Sequence, residues 1–294
     1  MRRTAGQHDL PGAPAPVQRL VPGPVTGPLP YSRPGAQPAV IRLRALLVLL
    51  LGPALLATSA WAVEPLDYRV LAKKPQERRN FIQGLEILDG KLYVSSGHYG
   101  QSRLMRYNFS DMNLEVSKSL NRRLFAEGVT ILGPRLYQLT WRERMMLVFD
   151  RQSLEALEWF PIKGQGWGLT NNGEQLIYSD GSDRLHFMSP DTRSVSRSLR
   201  VTENGRPLDR INELEWIDGR VWANIWQTDR IVVINPESGV VEASLDLQGL
   251  LPASERRPDT DVLNGIARDP ADGSIWVTGK RWPWLYKIEV QQGN

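Results

Sequence analysis

The chain has 294 residues, contains no cysteine and carries a formal net charge of +4. The lack of cysteine excludes disulfide bonds, thiolate catalysis and cysteine-ligated metal sites. Residues 1–62 hold six Arg and one Asp, so the remainder, with 30 basic and 31 acidic residues, is nearly neutral. Because the basic balance belongs to the leader, neither a nucleic-acid partner nor a membrane-surface partner is expected.

The first 62 residues differ in kind from the rest. Residues 1–40 contain nine of the 21 prolines without apolar periodicity, which predicts a disordered leader or a start codon assigned too far upstream. Residues 41–62 are typical of a secretory signal peptide: arginines precede an apolar run, and an A-x-A cleavage site ends at Ala62. An uncleaved membrane anchor is the alternative, although the run is short for a span and contains Pro53. We expect a cleaved, periplasmic or secreted bacterial protein.

Five segments of the mature chain repeat one pattern, in which two alternating apolar stretches flank a short turn. Their opening residues lie 44, 40, 45 and 52 positions apart, at Gln83, Glu127, Trp167, Asn212 and Asn264. A second alternating pair follows each of the first four segments, and no segment has a helical period over 11 or more residues. The pattern therefore predicts units of four short strands.

Repeats of this length with four strands each are typical of a β-propeller. We predict an all-β, five-bladed β-propeller over residues 63–294, each blade having four antiparallel strands; an open stack or sandwich of hairpins is the alternative. After the fifth hairpin only one strand remains. Residues 66–72 are predicted to supply the missing outer strand of the last blade, which would close the ring and cover an edge.

Hairpin geometry predicts which residues meet at one end of the channel. Strands joined by a tight turn are antiparallel, so the opening residue of a hairpin and the residue after its second strand lie together. Besides the five opening residues, the closing positions are Gly97, Trp141, Gly181, Trp226 and Gly279, with Lys280 next to the last. Taken singly, a Trp is more often a core residue than a ligand contact, an Asn is more often a turn residue, and a Lys is more often a surface residue. Their joint placement predicts an aromatic-walled pocket.

Glu127 is the only carboxylate among these positions, with Glu213 and Glu215 nearby. No set of oxygen ligands for a metal and no Ser-His pair is recognisable, and the spacing of His98 and His186 does not suggest zinc. One carboxylate, one ammonium, amides and Trp faces favour proton transfer with oxyanion stabilisation on a small amine or amide. We therefore expect no metal and no cofactor.

The chain closely resembles the glutaminyl-peptide cyclotransferases of the plant and bacterial type, which are five-bladed propellers. The resemblance spans about residues 80–290. The matching motifs are F-I-Q-G (81–84), Y-G-Q-S (99–102), E-G-V-T-I-L (127–132), Y-Q-L-T-W (137–141), G-W-G-L-T (166–170), S-D-G-S (179–182), N-E-L-E (212–215), W-A-N-I-W-Q-T-D (222–229), D-V-L-N-G-I-A (261–267) and V-T-G-K (277–280). Ile82 replaces a common Thr, and His98, expected at the pocket rim, replaces an apolar residue.

The resemblance implies an acyltransferase that cyclises N-terminal glutamine of peptides and proteins to pyroglutamate and releases ammonia. It implies catalytic roles for Glu127 as proton shuttle and for Asn212 and Lys280 as oxyanion donors, with a Trp indole as a further donor. Lys280 could instead keep Glu127 ionised. The residues implied in substrate binding are Phe81, Gln83, Trp141, Trp167 and Trp226. We expect a monomer. A propeller that binds a peptide N-terminus without chemistry and a lactonase-like metal hydrolase are the competing hypotheses.

Overall fold

A computed structural model describes residues 62–293. The predicted leader (1–40) and all but the last residue of the predicted signal peptide (41–62) lie outside the described residues. Within residues 62–293 the chain is all-β, and its helical content is a single 3-10 turn at Ala253–Glu255. The same residues include no helix with the length and apolarity needed to cross a membrane.

The strands follow the predicted repeats. An N-terminal strand β1 (Glu64–Pro75) precedes the first sheet, which contains β2 (Ile82–Leu88), β3 (Lys91–Ser96), β4 (Arg103–Asn108) and β5 (Leu114–Ser119). The second sheet contains β6 (Ala126–Leu132), β7 (Arg135–Thr140), β8 (Met145–Asp150) and β9 (Ala156–Pro161). The third sheet contains β10 (Leu169–Asn171), β11 (Leu176–Ser179), β12 (Arg184–Met188) and β13 (Val195–Arg200).

A small hairpin of β14 (Thr202–Glu203) and β15 (Arg206–Pro207) follows. The fourth sheet contains β16 (Ile211–Ile217), β17 (Arg220–Ile225), β18 (Arg230–Ile234) and β19 (Val241–Asp246). The fifth contains β20 (Leu263–Arg268), β21 (Ile275–Gly279), β22 (Trp284–Gln292) and, beside β22, the N-terminal strand β1. Neighbouring strands are antiparallel within every sheet, as predicted.

Turn residues explain why the hairpins close where they do. Asp89 and Gly90 join β2 to β3, and Asp218 and Gly219 join β16 to β17, with positive φ at all four residues. Two successive residues of this kind form the tight hairpin turn that Asp-Gly favours, because its twist matches that of the flanking strands. The local sequence thus determines the register of these two inner strand pairs.

Residues 66–72, predicted to add an outer strand to the last unit, lie in β1, which is longer than predicted. β1 pairs antiparallel with β22 from Leu66 opposite Gln292 to Pro75 opposite Trp284, and its first residues also pair in parallel with β19. The parallel pairing joins the fourth and fifth sheets into one eight-stranded sheet, in the order β16-β17-β18-β19-β1-β22-β21-β20. Both ends of the described chain are therefore held by one hydrogen-bonded strand pair.

The first strands of the five sheets contact one another in a cycle: β2 with β6, β6 with β10, β10 with β16, β16 with β20, and β20 with β2. Five clusters of buried apolar side chains follow the same cycle, one between each pair of neighbouring sheets. The inner backbones pass so closely that a Cβ on Gly168 would lie 1.9 Å from the carbonyl oxygen of Asn212. A side chain at position 168 would force the third and fourth sheets apart.

Three buried glutamates, Glu86, Glu213 and Glu215, accept hydrogen bonds from strands of other sheets. Glu213 of β16 accepts hydrogen bonds from the backbone N–H of Leu85 on β2 (3.2 Å) and of Ile266 on β20 (2.9 Å). Glu215 accepts one from the N–H of Arg268 (2.8 Å), and Glu86 accepts one from the hydroxyl of Thr130 (3.0 Å). Burial raises the pKa of Glu86 to about 8 and the pKa values of the other two well above the ordinary value.

These raised pKa values predict a loss of stability in alkali. Between the ordinary glutamate pKa and about 8, the folded chain holds protons that the unfolded chain releases, so the free energy of unfolding falls as pH rises. We expect Tm to fall by several degrees from pH 5 to pH 8, and to fall less in Glu86→Gln. Glu115→Gln is the matched control, because salt bridges to Lys91 and Arg106 lower the pKa of Glu115. An equal Tm change in all three proteins would contradict the prediction.

Candidate active site

All eight predicted site residues line one cavity of about 740 Å³. Four of them are almost completely buried and form its floor: Gln83, Glu127, Asn212 and Lys280. The remaining four are aromatic and form its walls: Phe81, Trp141, Trp167 and Trp226. His98, expected at the rim, also lines the cavity and is exposed. The ring thus brings together residues from all five repeats.

β-bulges point the floor residues into the cavity. The strand register shifts at Gln83, at Glu127, at Asn212 and at Asn264, always between the first strand of a sheet and its second. A bulge inserts an extra residue and re-aims its side chain, and bulges are common beside active sites. Four of the five opening residues therefore lie within the first strands, in bulges, whereas Trp167 lies before its strand β10, as predicted.

Serine side chains fix the backbone beneath two floor residues. The Ser95 hydroxyl, on the second strand of the first sheet, donates to the carbonyl oxygen of Glu127 in the second sheet. The Ser179 hydroxyl, on the second strand of the third sheet, donates to the carbonyl oxygen of Asn212 in the fourth sheet (2.8 Å). Glu127 and Asn212 are thus each positioned by the sheet before their own.

The side-chain amide of Gln165 holds two of the three wall tryptophans. The indole N–H groups of Trp141 and Trp167 both donate to Oε1 of Gln165, at 2.7 and 3.0 Å. The indole N–H groups of Trp141 and Trp167 therefore already have an acceptor, and the expected Trp oxyanion donor stays a prediction that best fits the third wall tryptophan, Trp226. Trp226 packs edge to face on Trp167, with ring centroids 5.5 Å apart, and its indole has no hydrogen bond within residues 62–293.

Burial controls the charge of Glu127. Its side chain is 4% exposed, and burial raises the pKa of its carboxyl well above the ordinary value. The charge of Lys280 opposes this shift in pKa and that of Glu143 adds to it. Burial and the charge of Lys280 thus act in opposite directions on the pKa of Glu127, and a raised pKa makes the carboxylate a stronger base than an ordinary one.

Lys280 is also weakly solvated. Burial lowers the pKa of its ammonium group, while the carboxylates of Glu127 and Asp261 oppose that change in pKa. The ammonium nitrogen lies 4.9 Å from the ring centroid of Phe81 and has no carboxylate oxygen within 4.0 Å among residues 62–293. A substrate oxygen that enters the cavity can therefore become its close partner.

Asn264 determines which end of the Gln83 amide faces the cavity. Its Nδ2 lies 2.9 Å from the carbonyl oxygen of Ile82, which can only accept, so the amino group of Asn264 points toward both Ile82 and Gln83. Gln83 must then present its Oε1 to Asn264, at 3.3 Å, which leaves its own amino group for the cavity. Gln83 is thereby oriented as a hydrogen-bond donor, an assignment that sequence reasoning did not make.

Sequence reasoning missed several lining residues that the repeats could have indicated. Two positions before each opening residue stand Phe81, Phe125, Gln165, Arg210 and Val262, and three of these line the cavity while Gln165 binds its walls. One position after each closing residue stand His98, Arg142, Ser182, Gln227 and Lys280, and four of these line the cavity. Of these ten residues, only Phe81 and Lys280 were predicted as catalytic or substrate-binding residues.

Two carboxylates near the mouth come from the irregular segment between β19 and β20, which has no repeat signal. Asp259 is exposed and lies 3.4 Å from Arg281, whereas Asp261 accepts a hydrogen bond from the backbone N–H of Val262 (2.6 Å). Glu127 differs from both, because its carboxylate has no hydrogen-bond donor within residues 62–293. This isolation and its burial make Glu127 the best candidate for moving protons.

Other polar residues considered from the sequence lie elsewhere. Glu213 and Glu215 do not line the cavity and instead bind backbone N–H groups. His186 lies between Asp180 (3.1 Å) and Ser198 (2.9 Å) on the third sheet, away from the cavity lining. Across the described part of the chain, no group of three or more His, Asp or Glu side chains is placed to hold a metal ion.

Comparisons with known proteins agree on one family. The family model described as glutamine cyclotransferase matches residues 45–290. A glutaminyl-peptide cyclotransferase of Arabidopsis thaliana is 36% identical over 236 residues, which are 78% of this chain and 72% of the plant protein. The crystal structure of Myxococcus xanthus glutaminyl cyclase is similar with a TM-score of 0.73 and 31% identity, covering 79% of this chain and all of that one.

Proposed function

Because this chain belongs to the glutamine cyclotransferase family, we propose that it closes an N-terminal glutamine into pyroglutamate, with release of ammonia, in the cavity around Glu127. The chain is an enzyme of the glutaminyl-peptide cyclotransferase class, and its substrates are peptides or proteins with an N-terminal glutamine. The observation that carries the site assignment is the buried Glu127 carboxyl with its raised pKa, facing amide and ammonium donors across an aromatic pocket.

Glu127 acts as the proton shuttle. The substrate α-amine attacks its own side-chain amide carbon, so a nitrogen–carbon bond forms and the amine gives up a proton to the Glu127 carboxylate. The tetrahedral intermediate then collapses, the bond to the amide nitrogen breaks, and Glu127 returns the proton so that ammonia leaves. A carboxyl with a raised pKa suits both transfers, since its pKa is closer to that of an amine, about 8 for a free α-amino group.

The floor donors stabilise the amide oxygen as it gains charge. Asn212 and Lys280 have no close partner for their amide and ammonium groups among residues 62–293, and Asn264 turns the Gln83 amino group toward the same space. A single preorganised donor of this kind contributes about 10²–10³ in rate. The Trp walls would hold the glutamine folded back on itself, which is the geometry that ring closure needs.

The Asn264 assignment predicts a coupled effect. Asn264→Ala should lower kcat about tenfold when Gln83 is present, because the Gln83 amide can then turn its oxygen toward the reacting centre. In a Gln83→Ala background the same change should leave kcat almost unaltered. Tm should fall equally in both backgrounds, because a buried amide is lost in each. Equal losses of kcat in both backgrounds would mean that Asn264 acts only through stability.

The architecture that best fits these sheets is a five-bladed β-propeller, with one sheet per blade and the cavity at one end of its axis. The cyclic contacts of the five first strands and the five apolar clusters between sheets support it. The pairing of β1 with β22 supports closure of the ring by the N-terminal strand. We also propose cleavage after the signal peptide near Ala62, export to the periplasm or medium, and action as a monomer without a cofactor.

An ammonia-release assay tests the proposed activity. We expect ammonia from Gln-Gln and Gln-Ala, none from peptides that begin with another residue, and the same rate with and without a chelator. A peptide-binding propeller without chemistry would bind Gln-Ala and release no ammonia. A lactonase-like hydrolase would lose its activity to the chelator.

A further inference from the structure

Three cations line the cavity at different depths. Lys280 is 4% exposed and belongs to the floor, and Arg281 lies 3.4 Å from the carboxylate of Asp259. Arg142 is exposed at the mouth and has neither an ion pair nor a side-chain hydrogen bond within the part of the chain that the structure describes. Arg142 is thus a cation whose guanidinium is open to a ligand.

Arg142 is held in place although it is exposed. Its guanidinium carbon lies 4.0 Å from the centroid of the Trp141 ring, a stacking contact that restricts the side chain without using its N–H groups. The adjacent Glu143 forms no ion pair with it, and the Glu143 carboxylate accepts hydrogen bonds instead from the Tyr99 hydroxyl (2.8 Å) and the Phe125 N–H (3.2 Å). A positioned guanidinium with free N–H groups is suited to bind a carboxylate.

The repeats relate Arg142 to Lys280. Arg142 follows the closing residue of the second hairpin, Trp141, as Lys280 follows the closing residue of the fifth, Gly279. The same position of the fold thus places one cation on the floor, where the glutamine reacts, and another at the mouth, where the rest of the peptide must leave. A peptide advances at most about 3.3–3.6 Å per residue, so the residue directly after the glutamine is the first that extends from the floor toward the mouth.

We propose that Arg142 forms a subsite for the carboxylate side chain of the residue that follows the N-terminal glutamine. The proposal rests on the proposed cyclisation and adds a substrate preference to it: Gln-Glu and Gln-Asp termini are favoured, and Gln-Lys termini are disfavoured. Because the contact is made equally before and during ring closure, the preference acts on KM and leaves kcat nearly unchanged.

The test uses three C-terminally amidated tripeptides, so that the side chain of residue 2 supplies the only variable charge: Gln-Glu-Ala, Gln-Gln-Ala and Gln-Lys-Ala. For the wild-type enzyme at low salt we expect kcat/KM to fall about three- to fivefold at each step along this series, as for an exposed ion pair. The differences should shrink at high ionic strength. Arg142→Gln should make the three values equal while leaving Gln-Gln-Ala within twofold, and Arg142→Glu should reverse their order.

Arg144→Gln is the matched control, because Arg144 is an exposed arginine two residues further along that does not line the cavity. It should retain the wild-type order of the three peptides. Equal kcat/KM values for the wild type, or a preference that persists in Arg142→Gln, would overturn the subsite while the cyclase activity stands. Absence of ammonia release from all three peptides would overturn the proposed function itself.

Discussion

Glu127→Gln is expected to lower kcat for N-terminal glutamine peptides by about 10²–10⁴-fold, the usual contribution of a general acid–base residue. The amide has nearly the same shape as the carboxyl but cannot take the proton of the α-amine. The substrate should still bind, because the walls and the other floor residues are unchanged, so KM should change little. Ammonia release measured at saturating Gln-Ala checks the prediction.

The variant should also be more stable than the wild type above neutral pH. The raised pKa of Glu127 means that ionisation of this buried group opposes folding as pH rises, and glutamine removes that cost. Higher Tm at pH 8 with similar Tm near pH 4 would show that lost activity is not lost folding. If Glu127→Gln keeps more than a tenth of the wild-type kcat, Glu127 is not the proton shuttle.

Glu143 offers a second test of the role of Glu127, because its charge affects the pKa of Glu127. The charge of Glu143 raises the pKa of Glu127, so Glu143→Gln should lower that pKa. Glu127 must be ionised to accept the proton, and kcat/KM therefore falls on the acid side as Glu127 becomes protonated. In Glu143→Gln this acid limb should move to lower pH, whereas the maximal kcat should stay within a few fold.

Removing strand β1 is expected to have the largest effect on stability. A chain that starts at Gln76 lacks the strand that pairs with β22 along nearly its whole length and with residues 243–245 of β19. Its loss leaves two strand edges unpaired and uncovers part of an apolar cluster, against which Leu66 and Tyr68 pack. We expect the shortened chain to lose well over 10 °C in Tm or to be recovered only as aggregate.

The controls separate the strand from chain length. A chain that starts at Val63, directly after the proposed cleavage site, retains β1 and should match the full-length chain in Tm. Adding a synthetic peptide of residues 62–75 to the shortened chain should raise Tm in a concentration-dependent way, because a ligand of the folded state stabilises it by mass action. An unchanged Tm on deletion of β1 would refute the closing role of this strand.

The repeat of alternating apolar stretches was sufficient to predict the strands, their order and the end of the ring at which Glu127, Trp141 and Lys280 meet. Alternation determines which face of a strand is buried, and tight turns such as Asp89-Gly90 determine the register. Because each unit repeats these local signals, the five hairpins all indicate the same arrangement of strands. The closing strand was predicted by counting, since the last unit was one strand short.

Residues that act through contacts between sheets were not predictable in this way. Gln165 accepts hydrogen bonds from the indoles of Trp141 and Trp167, and Asn264 orients Gln83 across the junction of the last and first sheets. The repeat gives the positions of Gln165 and Asn264 in the chain but not these side-chain contacts. Glu213 was placed near the site from its position in the chain, but its side chain turns to the backbones of β2 and β20. The direction in which a bulged residue points depends on the neighbouring sheets, which local sequence does not describe.

The sequence by itself determined the all-β class, the repeated four-strand unit and the family, because periodicity, turn chemistry and motif order are local properties of the chain. Only the tertiary structure decided in which direction the pKa values of Glu127 and Lys280 are shifted and which side-chain amides are free to donate hydrogen bonds. The pKa values of Glu127 and Lys280 depend on burial among five sheets, and the orientation of Gln83 depends on Asn264, which lies 181 residues away in the chain. The chemistry of this site therefore depends on the packing of all five sheets rather than on any one hairpin.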